Sequence, residues 1–218
     1  PRQVIFYLKH FVFIRELLRD SNTDIPEYLN EIIFYLGQSF DFYFGENDGA
    51  CLFNGNHILN VTGLKKYLKE YGYKFKNKLN SLGGYTIIRN KKDKIIFDFG
   101  PTPEKRYSAD YQSGALSFEI FHEKEKLITN CGYFQNYNHK LNILSKSTAA
   151  HSTLSIDDRS SCKFKKDKLG YFVLENTLKV SNKKTYHDDE MWEIQGVHDG
   201  YLKEYGIFKG LIISIKRI

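Results

Sequence analysis

The chain has 218 residues and a mass of 25.6 kDa, with 32 Lys and Arg against 26 Asp and Glu, a formal net charge of +6. Hydrophobic residues at 41% and charged residues at 27% can bury a core, which excludes a disordered or fibrous chain. No apolar run approaches the roughly 20 residues that a membrane-crossing helix needs, and the three cysteines, Cys51, Cys131 and Cys162, have spacings that match neither a disulfide framework nor a zinc ribbon.

Aromatic content is high, at 17 Phe, 16 Tyr and one Trp. That suits β-sheet faces and sugar-binding surfaces alike. The basic residues are mostly Lys and are dispersed. The densest groups, Lys65 to Lys78 and Lys163 to Lys168, alternate with aromatic or acidic residues and read as solvated faces. The composition therefore argues against nucleic acid and leaves a mild attraction for anionic polymers.

The chain opens on a helical pattern. Val4, Ile5, Leu8, Phe11, Val12 and Leu18 form an apolar stripe, with Arg15 as its polar exception. Ser21 to Asp24 breaks it, and Pro26 starts a second helix that carries Leu29, Ile32, Ile33, Leu36 and Phe40 on one face. Asn47-Asp48-Gly49 is a turn signal, and Thr62 is placed to cap a third short helix over residues 63–71. After Gly83-Gly84 the period changes from helical to alternating. Strands are expected at 85–89, 95–99, 116–121, 127–130, 153–156, 171–174, 178–180, 192–197 and 211–215. The expected fold class is α+β, multidomain: helices followed by an antiparallel β-sandwich. Domains are expected at 1–60 (helical), 61–82 (a linker with a short helix) and 83–218 (the sandwich). The chain starts Pro1-Arg2-Gln3 and ends on a strand pattern, so a fragment of a larger protein is expected.

Few residues suggest chemistry by themselves. His151, flanked by small residues before an expected strand, reads as a metal ligand, a general base or a hydrogen-bonded histidine. His198-Asp199-Gly200-Tyr201 ends a strand, and turn chemistry accounts for its Asp-Gly. Tyr107, Asp110, Tyr111 and Gln112 form a polar loop after Pro101-Thr102-Pro103, a candidate binding loop. No phosphate loop and no nucleophile elbow is present.

Several segments together resemble one family. Asp98-Phe99-Gly100-Pro101 leads to Gly114-Ala115-Leu116-Ser117-Phe118-Glu119, then to Ile128-Thr129-Asn130-Cys131-Gly132, Ala150-His151-Ser152-Thr153-Leu154 and His198-Asp199-Gly200-Tyr201. Their order and spacing are similar to those of heparinase II/III-like polysaccharide lyases. Asn47-Asp48-Gly49 followed by Leu52-Phe53-Asn54-Gly55 resembles the end of that family's α/α toroid. The resemblance implies the last toroid helices and a β-sandwich. It also implies β-elimination on a uronic-acid polysaccharide, a periplasmic or envelope location, and a structural zinc.

Carried over residue by residue, the resemblance also implies departures. The family's His-x-His pair falls on Asp110 and Gln112, its aspartate ligand on Asn130, and only His151 is kept; Lys209-Gly210 replaces the usual His-Arg. Asp110 and His151 are then the expected catalytic residues. Tyr107, Tyr111, Gln112 and Asn130 are the expected substrate contacts. Neutral amides are poor zinc ligands, so no metal is expected at Gln112, Asn130 and His151. The expected partner is an anionic polysaccharide. The alternative is a catalytically degenerate carbohydrate-binding or scaffold protein on the same fold.

Overall fold

The structure, a computed structural model, describes residues 2–45, 51–57, 60–123, 125–188 and 190–216. The expected turn at Asn47-Asp48-Gly49 lies outside them. The chain divides into two compact units. The first holds residues 1–51 and 56–82, the second 52–55 and 83–218.

In the first unit, α1 (Arg2–Asp20) packs on α2 (Glu27–Phe44), and α3 (Thr62–Glu70) follows. The apolar stripes do what their spacing requires: Leu8 and Val12 of α1 and Leu29, Ile33 and Phe40 of α2 are buried. Each such side chain contributes roughly 1.5–3 kcal/mol. The polar member of the α1 stripe is Glu16 rather than Arg15. Glu16 is 3% exposed and accepts from the Tyr73 hydroxyl at 2.7 Å and from Arg15 at 3.0 Å. Gly37 is a close approach, since a Cβ there would stand 2.1 Å from the Phe75 ring. Thr62 is not the cap of α3 but its first residue. The Asn60 side chain accepts the Thr62 amide instead.

The second unit is the sandwich. Strands β2 (Tyr85–Arg89), β3 (Asp93–Asp98), β4 (Phe118–His122) and β5 (Glu125–Ile128) lie side by side in that order; the two-residue β1 (Ser81–Leu82) closes the first unit. All their pairings are antiparallel. A two-stranded antiparallel sheet pairs β6 (Phe164–Lys166) with β7 (Phe172–Leu174). A third sheet has the order β10-β9-β8, from β8 (Val180–His187), β9 (Met191–His198) and β10 (Lys209–Lys216), again antiparallel. Strand β9 buries every second residue, as a half-buried strand must. Its Trp192 and Ile194 meet Ile88, Ile95, Phe97, Phe99 and Leu116 in one core, which joins the first and third sheets face to face. Short helices α4 (Lys140–Ser145) and α5 (Leu202–Tyr205) complete the unit.

The expected strand over 153–156 does not form; Ile156 makes only an isolated bridge to Arg159. Asp157 and Asp158 adopt φ values of 48° and 53°, which turn the chain sharply. The hydroxyl of Thr153 donates to the Ala115 carbonyl, and the Ser152 hydroxyl accepts the Phe118 amide. Side chains, not a ladder, hold this segment.

Candidate functional site

The 3-10 turn Lys105–Tyr107 and the loop that follows it carry four of the six expected site residues. Tyr107 is 66% exposed, with the Arg106 guanidinium 4.6 Å from its ring centroid. Asp110 is half-buried at the turn's tip. Gly55, at φ +79°, lies against it: a Cβ on Gly55 would come within 2.6 Å of the Asp110 Cβ.

Tyr111 corrects the expectation of a sugar contact. It is 6% exposed and packs with Ala115, Cys162, Leu174 and Leu178 in a second core. Burial first, then the neighbouring Cys162 thiol, holds its phenol well above the ordinary pKa. Its ring supports the loop from inside.

Gln112 is also internal, and every polar end of it is used. Its Oε1 accepts the Gly55 amide at 3.2 Å, while its Nε2 donates to the carbonyls of Gly132 at 3.0 Å and Ser145 at 2.6 Å. Asn130 is 1% exposed. Its Oδ1 accepts the Ser152 amide at 3.0 Å and the Ser152 hydroxyl at 3.3 Å. Gln112 and Asn130 therefore knit loops together and do not face a ligand; buried amides are placed where their hydrogen bonds are met.

His151 is 8% exposed, and burial pulls its pKa down to about 4, against a smaller upward effect of the Ser145 backbone. At neutral pH it is an uncharged imidazole. Its Nε2 and the Asn130 Nδ2 are buried without a protein partner. The structure thus brings Gln112, Asn130 and His151 into one buried polar cluster around residues 145 and 152, with Asp110 on the outer side of the same loop.

This donor set does not fit zinc. Gln112 has both ends committed, Asn130 offers Ser152 its only oxygen, and an amide nitrogen such as Asn130 Nδ2 is no ligand. One imidazole nitrogen remains. Among the described residues no group of three His, Cys, Asp or Glu is placed to hold a metal ion.

Other residues of this region stood in the sequence only as members of motifs, with no role assigned to them. Glu119 is fully buried and accepts from the amides of Leu52 and Asn130, the Thr129 hydroxyl and the Lys126 ammonium. Asp98, 3% exposed, accepts from Asn54 and from the Gly100 amide, and burial raises its pKa to about 7. Asn54 also donates to the Tyr85 hydroxyl at 2.7 Å and accepts the Gln112 amide at 3.2 Å. Leu52 to Gly55 are thereby fastened to the second unit.

His198-Asp199-Gly200-Tyr201 is a corner. The His198 ring accepts the Gly200 amide, the Asp199 carboxylate accepts the Lys179 amide at 2.7 Å, and the Tyr201 hydroxyl donates to the Arg159 carbonyl. Burial first, then neighbouring Lys209, lowers the His198 pKa to about 4. A cavity of about 310 Å³, mostly apolar, opens between Cys131, Phe134, Leu141 and Leu144 and is also lined by Gly132 and Ser145, whose carbonyls Gln112 binds.

With this geometry in place, comparison with known proteins defines the class. Residues 77–208, more than half of the chain, match the family described as Heparinase II/III-like, C-terminal. The chain belongs to that family. Among solved structures it is similar to a mutant of the heparan sulfate lyase HepC from Pedobacter heparinus, with a TM-score of 0.69, 13% identity, 100% of this chain and 36% of that one. A structure titled Heparinase III matches with a TM-score of 0.57 and 15% identity, over 99% of this chain and 39% of that one. Likeness at this identity establishes the fold. A curated relative, FtsZ-localized protein C of Caulobacter vibrioides, is 26% identical over 209 residues, or 92% of this chain. The chain spans about a third of that relative's length.

Proposed function

We propose that this chain supplies the sandwich side of a polysaccharide-lyase cleft that acts by β-elimination on a uronic-acid polysaccharide. The family match over residues 77–208 carries this reading. Asp110 is its base: a half-buried carboxylate at the tip of a braced turn is accessible and held in place. It takes the proton at C5 of the uronate, the C4–O bond breaks, the departing glycosidic oxygen takes a proton from an acid on the toroid side of the cleft and leaves as a hydroxyl, and a C4–C5 double bond remains. Tyr107 offers an exposed ring for a sugar face. His151, neutral and enclosed, backs the loop rather than touching the sugar. No step runs through a metal. The site of action is the periplasm or cell envelope, where such polymers lie. The test is to incubate the intact protein with heparan sulfate, alginate and other uronans and follow the ultraviolet absorbance of the unsaturated product. A rise that Asp110→Ala abolishes supports the reading, and no rise on any uronan ends it.

One observation favours a second reading, a scaffold or glycan-binding protein on the same fold. Gln112 and Asn130 are committed to structural bonds, and a relative of similar sequence is named for localization with FtsZ rather than for catalysis. Glycan binding without turnover supports this reading.

A further inference from the structure

Lys146 follows α4 directly and is completely buried. Burying an ammonium costs several kcal/mol unless its donors are met. Here two of its three donors are met by one turn of backbone. The Lys146 Nζ donates to the Ala109 carbonyl at 2.5 Å and to the Tyr111 carbonyl at 2.9 Å, the carbonyls of the residues before and after Asp110. The rings of Tyr133 and Phe164 flank the ammonium, with centroids 5.2 and 4.9 Å away. The Tyr133 hydroxyl adds a second donor to the Ala109 carbonyl at 3.1 Å. Burial lowers the Lys146 pKa to about 8, with Asp110 acting the other way, so the group is an ammonium at neutral pH.

An apolar side chain would fill this space without the desolvation cost. What the cation adds is two strong, directional bonds to the carbonyls of the residues before and after Asp110. We propose that Lys146 is the positioning residue of the Asp110 loop, its buried ammonium cross-linking the Ala109 and Tyr111 carbonyls and fixing the turn that carries the Asp110 carboxylate. The clamp stands on geometry alone. Only its effect on turnover rests on the lyase reading.

The test uses the intact protein and two variants, Lys146→Met, which keeps the length and removes the donors, and Tyr133→Phe, which removes one hydroxyl. Hydrogen exchange is measured on peptides covering residues 105–115. In Lys146→Met the amides of 109–112 exchange at least about ten-fold faster while β8 to β10 keep wild-type protection. Where the wild type turns over a uronan, the kcat of Lys146→Met falls by about ten-fold or more with KM held within about two-fold. A folded Lys146→Met with unchanged exchange at 109–112 overturns the proposal. If Lys146→Met does not fold, Tyr133→Phe decides: faster exchange confined to 109–112 supports the clamp and none overturns it. If the wild type turns over no uronan, the lyase reading fails, and the exchange result still decides the clamp.

Discussion

The Gln112 Nε2 donates to the Ser145 carbonyl at 2.6 Å, joining the loop that carries Asp110 to the end of α4. The same side chain holds Gly55 and Gly132. Gln112→Ala removes all three bonds and leaves buried backbone groups unpaired. The expected loss is about 2–4 kcal/mol in urea unfolding. A loss under about 0.5 kcal/mol contradicts this bracing role.

The committed amides also predict how the protein responds to chelation. Because Gln112 and Asn130 have no oxygen to spare, EDTA leaves the melting temperature unchanged, and elemental analysis finds no stoichiometric zinc. A chelator-induced drop in melting temperature would show that the site takes a metal after all.

Acid stability has a defined sign. His151 and His198 have native pKa values of about 4, against an ordinary 6.5. Above pH 6.5 both states leave them neutral. Between 6.5 and 4 the unfolded chain binds protons that the native protein refuses, so stability falls as pH falls. Each histidine removes about 3 kcal/mol. Asp98 opposes them. Its native carboxyl keeps its proton up to about pH 7, whereas the unfolded one releases it above 3.8, so acid restores about 4 kcal/mol over that window. The two histidines and Asp98 thus pull stability in opposite directions across this window. Asp98→Asn removes the opposing contribution and steepens the acid loss in urea titrations between pH 7 and 4. An acid-stabilised Asp98→Asn would reverse this balance.

Gly196 tests the sandwich core. A Cβ there would stand 2.7 Å from Leu116 and 2.8 Å from the Phe99 ring. Gly196→Ala is expected to cost about 1–3 kcal/mol through overpacking. A neutral substitution would mean that the two sheets part easily at this point.

The helices were legible because their burial follows a single period, as in Leu29, Ile33 and Phe40. Strand β9 was legible from its alternation, while β2 and β3 were legible as runs rich in β-branched and aromatic residues and are buried at successive positions; Trp192 of β9, Phe97 of β3 and the following Phe99 share one core. The segment over 153–156 misled because Thr, Leu, Ser and Ile alternate there as in a strand, yet the Thr153 hydroxyl bonds to Ala115 and the preceding Ser152 hydroxyl to Phe118 across the fold. Strand β6 was missed, its lysines at 165 and 166 reading as a solvated face. For the site, residue type located the loop at 107–112 but not which side chains point inward. Tyr111 and Tyr107 are four apart in one polar loop, and only packing sends one into the core and the other to the surface. Lys146 gave no signal, and Glu119 stood only as the end of a motif with no role, because a buried charge announces itself only through partners distant in sequence.

The most direct test of the account follows the ultraviolet absorbance of unsaturated uronate as the intact protein acts on heparan sulfate and other uronans. The wild type is expected to raise it, and Asp110→Ala is expected to abolish the rise while leaving the melting temperature within about 2 °C. Undiminished elimination by Asp110→Ala, or none by the wild type on any uronan, would contradict the assignment of Asp110 as the base.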